Sequence, residues 1–339
     1  MTTEQDSKDL PDIEVGEDHV LAHNVDEEPV EANRRLFEGG LLKFVALLAI
    51  AYSAFHLYSL NIAPLETWSF RIVHIAGALV LGFVLFAGAR FVSSEEGGAR
   101  HRWTTWISAG AMLPALYVLY QTFSFWQMVQ NGAMRIPVEL EVWHFGWPLL
   151  AATGVGIVMS WFHQRERSVF SVPDLVLIVC SLAVAAYFLV VYNTSMRMST
   201  GTSFAPVGIS FAAIAGTALI MELTRRVAGM ALVIIGLVFL AYVFAGPYLP
   251  GFLGYPGLSV QRFFSQVYTD AGILGPTTAV SSTYIILFII FAAFLQSSKV
   301  GDYFVNFAFS VAGRARGGPA KVAIFASGLM GMINGTSAG

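Results

Sequence analysis

The residues best placed for chemistry close the chain: Asn334, Gly335, Thr336, Ser337, Ala338 and Gly339. An amide, two hydroxyls and free backbone carbonyls are oxygen donors that suit a hard cation such as Na⁺. An uncharged apolar run, Val322 to Ile333, leads into them, and Gly317-Gly318-Pro319 marks a helix start ahead of it. That run is too short to cross a bilayer, which takes about 20 residues. The polar tip would then lie at membrane depth, where irregular backbone is tolerated only inside protein or along a watery cavity. Half-helices ending in such a tip bind ions in many secondary transporters. The same pattern also fits an ordinary final span cut short, with small residues for helix packing. Both readings stay open on pattern alone.

Few other residues offer chemistry. Glu222 stands three and four positions before Arg225 and Arg226, so one helix face can pair it with both as a structural ion pair. Asp174 follows Pro173 where an apolar run begins, which suits a helix start. The apolar middle of every span lacks Asp and Glu, and proton-driven carriers usually carry buried carboxylates there. A proton relay is therefore disfavoured and Na⁺ coupling preferred. His56 and His74 fall on neighbouring runs. Two such histidines can hold a haem between helices, but lone helix histidines are more often hydrogen-bonded core residues. Cys180 lies in an apolar run and reads as a small core residue; one cysteine cannot build a disulfide or a thiolate metal site within the chain. No catalytic triad, phosphate loop or metal-ligand spacing stands out. The chain does not read as an enzyme, and no cofactor beyond the coupling ion and no nucleic acid partner is expected.

The elements that must position these groups are membrane spans. Of 339 residues, 56% are hydrophobic and 12% charged, against about a quarter charged in soluble domains. The expected fold is an all-α polytopic membrane protein. Eight spans are expected, at Leu41–Leu60, Ile72–Val92, Trp103–Phe123, Trp147–His163, Leu175–Tyr192, Val207–Leu223, Ala228–Tyr248 and Ser281–Ser298. Ser124–Gly146 reads as an outer loop, Leu258–Tyr268 as a short amphipathic helix on the membrane, and Val300–Val311 as a helix under the eighth span. Residues 1–38 are acidic and poor in apolar residues, which predicts a disordered tail. With the N-terminus cytoplasmic, every one of the 19 Lys and Arg residues except Arg71, Arg135, Arg197 and Arg262 falls on the cytoplasmic side, as the positive-inside rule requires. On that count, the segment carrying the polar tip enters from the cytoplasm.

Several stretches, in this order, carry a resemblance: MELTRR (Met221–Arg226), VIIGLVFLAYVFAGPYLPG (Val233–Gly251), SSTYIILFIIFAAFL (Ser281–Leu295), AGRARGGPAKVA (Ala312–Ala323) and GLMGMINGTSAG (Gly328–Gly339). Together they resemble the fused permease of tripartite ATP-independent periplasmic (TRAP) transporters, in the branch served by TAXI-type binding proteins. The resemblance implies an elevator-type, Na⁺-coupled importer of an organic anion of the carboxylate class. It would sit in the bacterial inner membrane and be fed by a periplasmic binding protein. It implies that 39–223 form a small-subunit-like scaffold, with two apparently extra spans over 103–163. Residues 224–339 would then begin the large-subunit (DctM-like) transport region. Lys321–Gly339 would be the first arm and tip of a re-entrant hairpin, with Asn334, Gly335, Thr336 and Ser337 at the family's Ser-Gly-Ser-Ser positions. Gly339 lies beside them, and Na⁺ would be held at Gly335, Thr336 and Ser337. The second arm and second hairpin have no counterpart here. The chain is therefore expected to be an N-terminal portion that needs the remainder of the permease, as a continuing chain or second subunit. The alternatives are a non-transporting membrane scaffold and a haem-bearing anchor of a redox complex.

Overall fold

The computed structural model describes residues 33–89, 91, 102–163, 167–191, 200, 202, 205–314 and 316–334. Among these, regular structure is helical, apart from one isolated bridge between Arg34 and Phe86. Helices α1 (Gly39–Asn61), α2 (Thr67–Leu85) and α3 (Arg102–Gln130) come first. A π-helical stretch, Leu140–Gly146, runs straight into α4 (Trp147–Phe162), followed by α5 (Val172–Val191) and α6 (Val207–Ala228). Then come α7 (Met230–Ala245) and the short α8 (Val260–Val267). A composite span follows: α9 (Pro276–Val280), a π turn (Ser281–Ile285) and α10 (Ile286–Ser297). Helices α11 (Val300–Ala312) and α12 (Gly318–Asn334) complete the described chain.

Among the described residues, seven helical segments are long and apolar enough to cross a membrane, not eight. The one that falls short is α3, which holds the expected span Trp103–Phe123. At 29 residues it is about 43 Å long, so length is not the reason. Its composition is: Thr104, Thr105, Ser108, Gln121, Thr122, Gln127 and Gln130 dilute the apolar run. Two of its hydroxyls are satisfied locally, Ser108 donating to the Thr104 carbonyl at 2.7 Å and Thr122 to that of Val118 at 2.9 Å. Helix α3 also extends to Gln130, and the span through α4 begins at Leu140. The expected outer loop Ser124–Gly146 thus shrinks to the residues between them.

The core gathers on α5, whose Val176, Leu177, Cys180, Ala183, Val184, Tyr187 and Phe188 are buried. Helices α2, α3, α4 and α6 surround it. The small residues Ala212, Ala213 and Ala215 of α6 are fully buried against this core, as close helix approach in a membrane requires. The chain turns from α6 to α7 at Gly229, whose φ of 85° is open to glycine and strained for a residue with a Cβ. Helix α7 buries none of its residues, and the composite span buries only 6% of its apolar window. Helix α8 is capped by Ser259, whose hydroxyl accepts from the Arg262 amide at 3.3 Å. It packs on α6, with Phe264 buried and the neighbouring Tyr268 ring stacked on Phe188 at 4.6 Å.

The expected disordered tail ends earlier than residue 38. Arg35 and Phe37 are buried. The Arg35 amide donates to the Leu85 carbonyl at 2.7 Å, and the Ala87 amide to the Asn33 carbonyl at 2.9 Å. This segment folds because an arginine there reaches a buried carboxylate. The part of the tail before Asn33 lies outside the described residues.

Candidate functional site

Charged side chains gather at one end of the bundle, where α2, α4 and α6 finish and α5 starts. They form a linear chain of alternating sign: Arg35, Asp174, Arg226, Glu222, Arg225. Arg35 Nη2 donates to Asp174 Oδ2, while Arg226 Nη1 donates to Asp174 Oδ1 at 2.7 Å. Arg226 Nε then reaches Glu222 Oε1 at 2.8 Å, and Arg225 grips both Glu222 oxygens at 2.8 Å. Backbone carbonyls take further donors. Arg35 reaches those of Phe83 and Val84 at 2.8 and 3.0 Å, Arg226 that of Phe86 at 2.9 Å, and Arg225 that of Gly88 at 2.7 Å. These carbonyls lie at and just beyond the end of α2, where helix geometry leaves them unpaired. The guanidinium groups therefore cap α2 as they neutralise the carboxylates.

Local sequence explains the placement. Ser171 and Asp174 have capping-box spacing, and the Ser171 hydroxyl donates to Asp174 Oδ2 in the first turn of α5. Glu222, Arg225 and Arg226 share a face of α6 through the i, i+3 and i, i+4 rule. From α4, Trp161 Nε1 donates to Glu222 Oε2 at 2.9 Å and Ser160 Oγ to Oε1 at 3.2 Å. Three guanidinium groups face two carboxylates, so the cluster carries one excess positive charge. Burial makes an ion pair costly unless its remaining polar atoms are bonded, and here most are. Arg35 Nε and Arg226 Nη2 have no acceptor from the protein. A cavity of about 10 Å³ beside Arg35, Ser160, Ser171 and Asp174 has room for one water.

Sequence reading placed Glu222 with Arg225 and Arg226 but missed Arg35 and gave Asp174 only a helix-start role. Arg35 lies 139 residues from Asp174, and no local spacing signals such a pairing. A second carboxylate escaped as well. Glu141, expected in a loop, is 2% exposed in the π-helical entry to α4. It accepts from the Tyr187 hydroxyl at 2.9 Å and from the Gly208 amide at 3.2 Å, at the start of α6. Its only signal in the sequence is an acid two residues past Glu139, directly before an apolar run.

His56 and His74 do meet, but through each other: His56 Nε2 lies 2.9 Å from His74 Nδ1. Ring nitrogens in direct hydrogen-bond contact leave no gap for an iron between them, so this geometry does not fit the haem alternative. Among the described residues, no group of three or more His, Cys, Asp or Glu could hold a metal ion.

Of the expected polar tip, Asn334 is the last residue of α12; Gly335, Thr336, Ser337 and Gly339 lie outside the described residues. As far as it is described, helix α12 runs for 17 residues. It packs on α11 through Ala308, Val322 and Ala326.

An all-α bundle with seven segments fit to span a bilayer defines a multi-pass membrane protein. More specifically, residues 215–339 match the family model described as "Tripartite ATP-independent periplasmic transporter, DctM component". The match opens inside α6, ahead of the ion-paired Glu222, and takes in every element from α7 to α12. No curated protein and no solved structure matches the chain.

Proposed function

We propose that this chain is a membrane permease component of a Na⁺-coupled TRAP transporter of the TAXI-type branch. It imports a small organic anion of the carboxylate class delivered by a periplasmic binding protein. The observation that carries this reading is the family match over 215–339. In this reading the chain lies in the bacterial inner membrane with its N-terminus cytoplasmic. Residues 39–223 form the small-subunit-like scaffold and 224–339 belong to the transport region. The oxygens of Asn334, Thr336 and Ser337, with the backbone of Gly335 and Gly339, meet Na⁺ and substrate at the end of α12. The network around Asp174 and Glu222 keeps the scaffold helices fixed while the transport region moves.

The test is uptake into proteoliposomes holding this chain with the remainder of the permease, the binding protein and an imposed Na⁺ gradient. Uptake follows the gradient, and Thr336→Val or Ser337→Ala lowers it at least about tenfold, a step of about 1.4 kcal/mol. Uptake indifferent to Na⁺ and to both substitutions would contradict the assignment.

A further inference from the structure

One cluster outside the charge network has chemistry that neither structure-holding nor the chain's end accounts for. It joins α1, α2 and the π turn Ser281–Ile285. His56 Nδ1 lies 2.8 Å from the Tyr52 carbonyl, and His56 Nε2 lies 2.9 Å from His74 Nδ1. The Tyr52 hydroxyl lies 2.9 Å from the His74 carbonyl and 3.0 Å from His74 Nδ1. His74 Nε2 lies 3.2 Å from the Ser281 hydroxyl.

Counting donors and acceptors fixes the hydrogens. A carbonyl only accepts, so His56 Nδ1 carries a hydrogen, and in a neutral ring its Nε2 is then an acceptor. His74 Nδ1 must therefore be the donor to it. The Tyr52 hydroxyl gives its hydrogen to the His74 carbonyl and offers only lone pairs to the ring. His74 Nε2 is left as an acceptor, and Ser281 donates to it. Every group is satisfied with both rings neutral.

An added proton is accommodated at His74 Nε2, and the hydrogen between the two rings can then lie on either nitrogen. At His74 Nε2 the added proton meets a hydroxyl, which can turn from donor to acceptor and send its own hydrogen to the carbonyl one helical turn back. The new bond is charge-assisted and so roughly twice as strong as the neutral one it replaces.

We propose that His74 Nε2, backed by His56 and faced by Ser281, is a reversible proton-binding site, and that the bound proton tightens the contact between α2 and the span carrying Ser281. The step is a simple addition: a proton from water joins neutral imidazole to give imidazolium, which donates to Ser281 Oγ. The groups facing the pair are Tyr52 from α1, Ser281 from the composite span, and the rings of Phe55 and Phe70. Among the described residues, no carboxylate, lysine or arginine contacts either imidazole. Arg71, three residues before His74, turns instead to Asp270 at 3.3 Å and to the Leu274 carbonyl at 2.7 Å. The site spans a boundary: α1 and α2 precede residue 215, whereas Ser281 lies within the matched segment. The inference does not depend on the transport assignment.

The experiment is solid-state NMR of the full chain, labelled with ¹⁵N-histidine, in lipid bilayers across acidifying pH. Subtracting the spectrum of His74→Gln isolates His74 from the other histidines. At about pH 8 the His74 signal is that of a neutral ring with its hydrogen on Nδ1, and on acidification it becomes an imidazolium. Ser281→Ala lowers the ratio of imidazolium to neutral His74 at a fixed pH by about tenfold, while Ser281→Thr, which keeps the hydroxyl, holds it within about twofold. A hydrogen on Nε2 at neutral pH, or a ratio unmoved by Ser281→Ala, would overturn the proposal. If His74→Gln does not fold, the imidazole signal that Ser281→Ala shifts and Ser281→Thr does not identifies His74, and no such signal would overturn the proposal.

Discussion

Arg226 and Asp174, 52 residues apart in sequence, meet at 2.7 Å with both side chains almost wholly buried. Arg226 also reaches Glu222 on its own helix, so one guanidinium joins the end of α6 to the start of α5. Arg35, on the far side of Asp174, ties in the segment ahead of α1. Five charged groups thereby fix the relative positions of α2, α4, α5 and α6.

Asp174→Asn leaves Arg35 and Arg226 facing each other across a weakened acceptor. Breaking a buried pair in this way costs about 3–5 kcal/mol. Denaturant unfolding of the purified protein in detergent measures it. The internal control is Asp270→Asn, because the Arg71–Asp270 pair is exposed on its carboxylate side and such pairs contribute about 0–1 kcal/mol. Equal losses at the two sites would show that the network does not hold the bundle.

Arg226→Lys keeps the charge but not the geometry. A single ammonium cannot reach Asp174, Glu222 and the Phe86 carbonyl as the planar guanidinium does. The substitution is expected to lose at least about 2 kcal/mol of unfolding free energy, part of the cost of about 3–5 kcal/mol for losing one partner of a buried pair. A lysine variant as stable as the parent would mean that charge alone matters here.

Gly208 is close to the limit of helix approach. A Cβ there would lie 2.2 Å from the Tyr187 hydroxyl and 3.1 Å from Glu141 Oε1. Gly208→Ala should therefore cost about 1–3 kcal/mol through overpacking. Tyr187→Phe removes the nearest clashing atom, so the same alanine costs less in that background. Additive losses in the double variant, read from the same unfolding curves, would contradict the close approach.

What was legible in the sequence follows a physical division. The apolar runs of α7 and α10 were readable because a bilayer demands length and hydrophobicity from each span by itself. The pairing of Glu222 with Arg225 and Arg226 was readable because helix geometry fixes which side chains share a face. Arg35 looked like part of a charged tail, since nothing near it announces Asp174. Glu141 looked like a loop residue, because a buried carboxylate is tolerated there only through Tyr187 and Gly208, which are distant in sequence. Helix α3 is where sequence and structure part: its apolar run reads as a span, while its hydroxyl and amide side chains keep it less apolar than the other seven segments. The contact of His56 with His74 could be suspected from their places on adjacent helices, but Ser281 as the third member could not.

The central proposal is that the oxygens of Thr336 and Ser337 meet Na⁺. The most direct measurement uses Ser337→Cys in a Cys180→Ser background, within the assembled permease in sealed vesicles of known orientation. The readout is the rate of modification by a membrane-impermeant thiol reagent. Reaction from the cytoplasmic side, slowed when Na⁺ replaces a large inert cation, is the result predicted. Reaction only from the opposite side at a rate indifferent to Na⁺ would mean that α12 continues across the bilayer, and the account would be wrong.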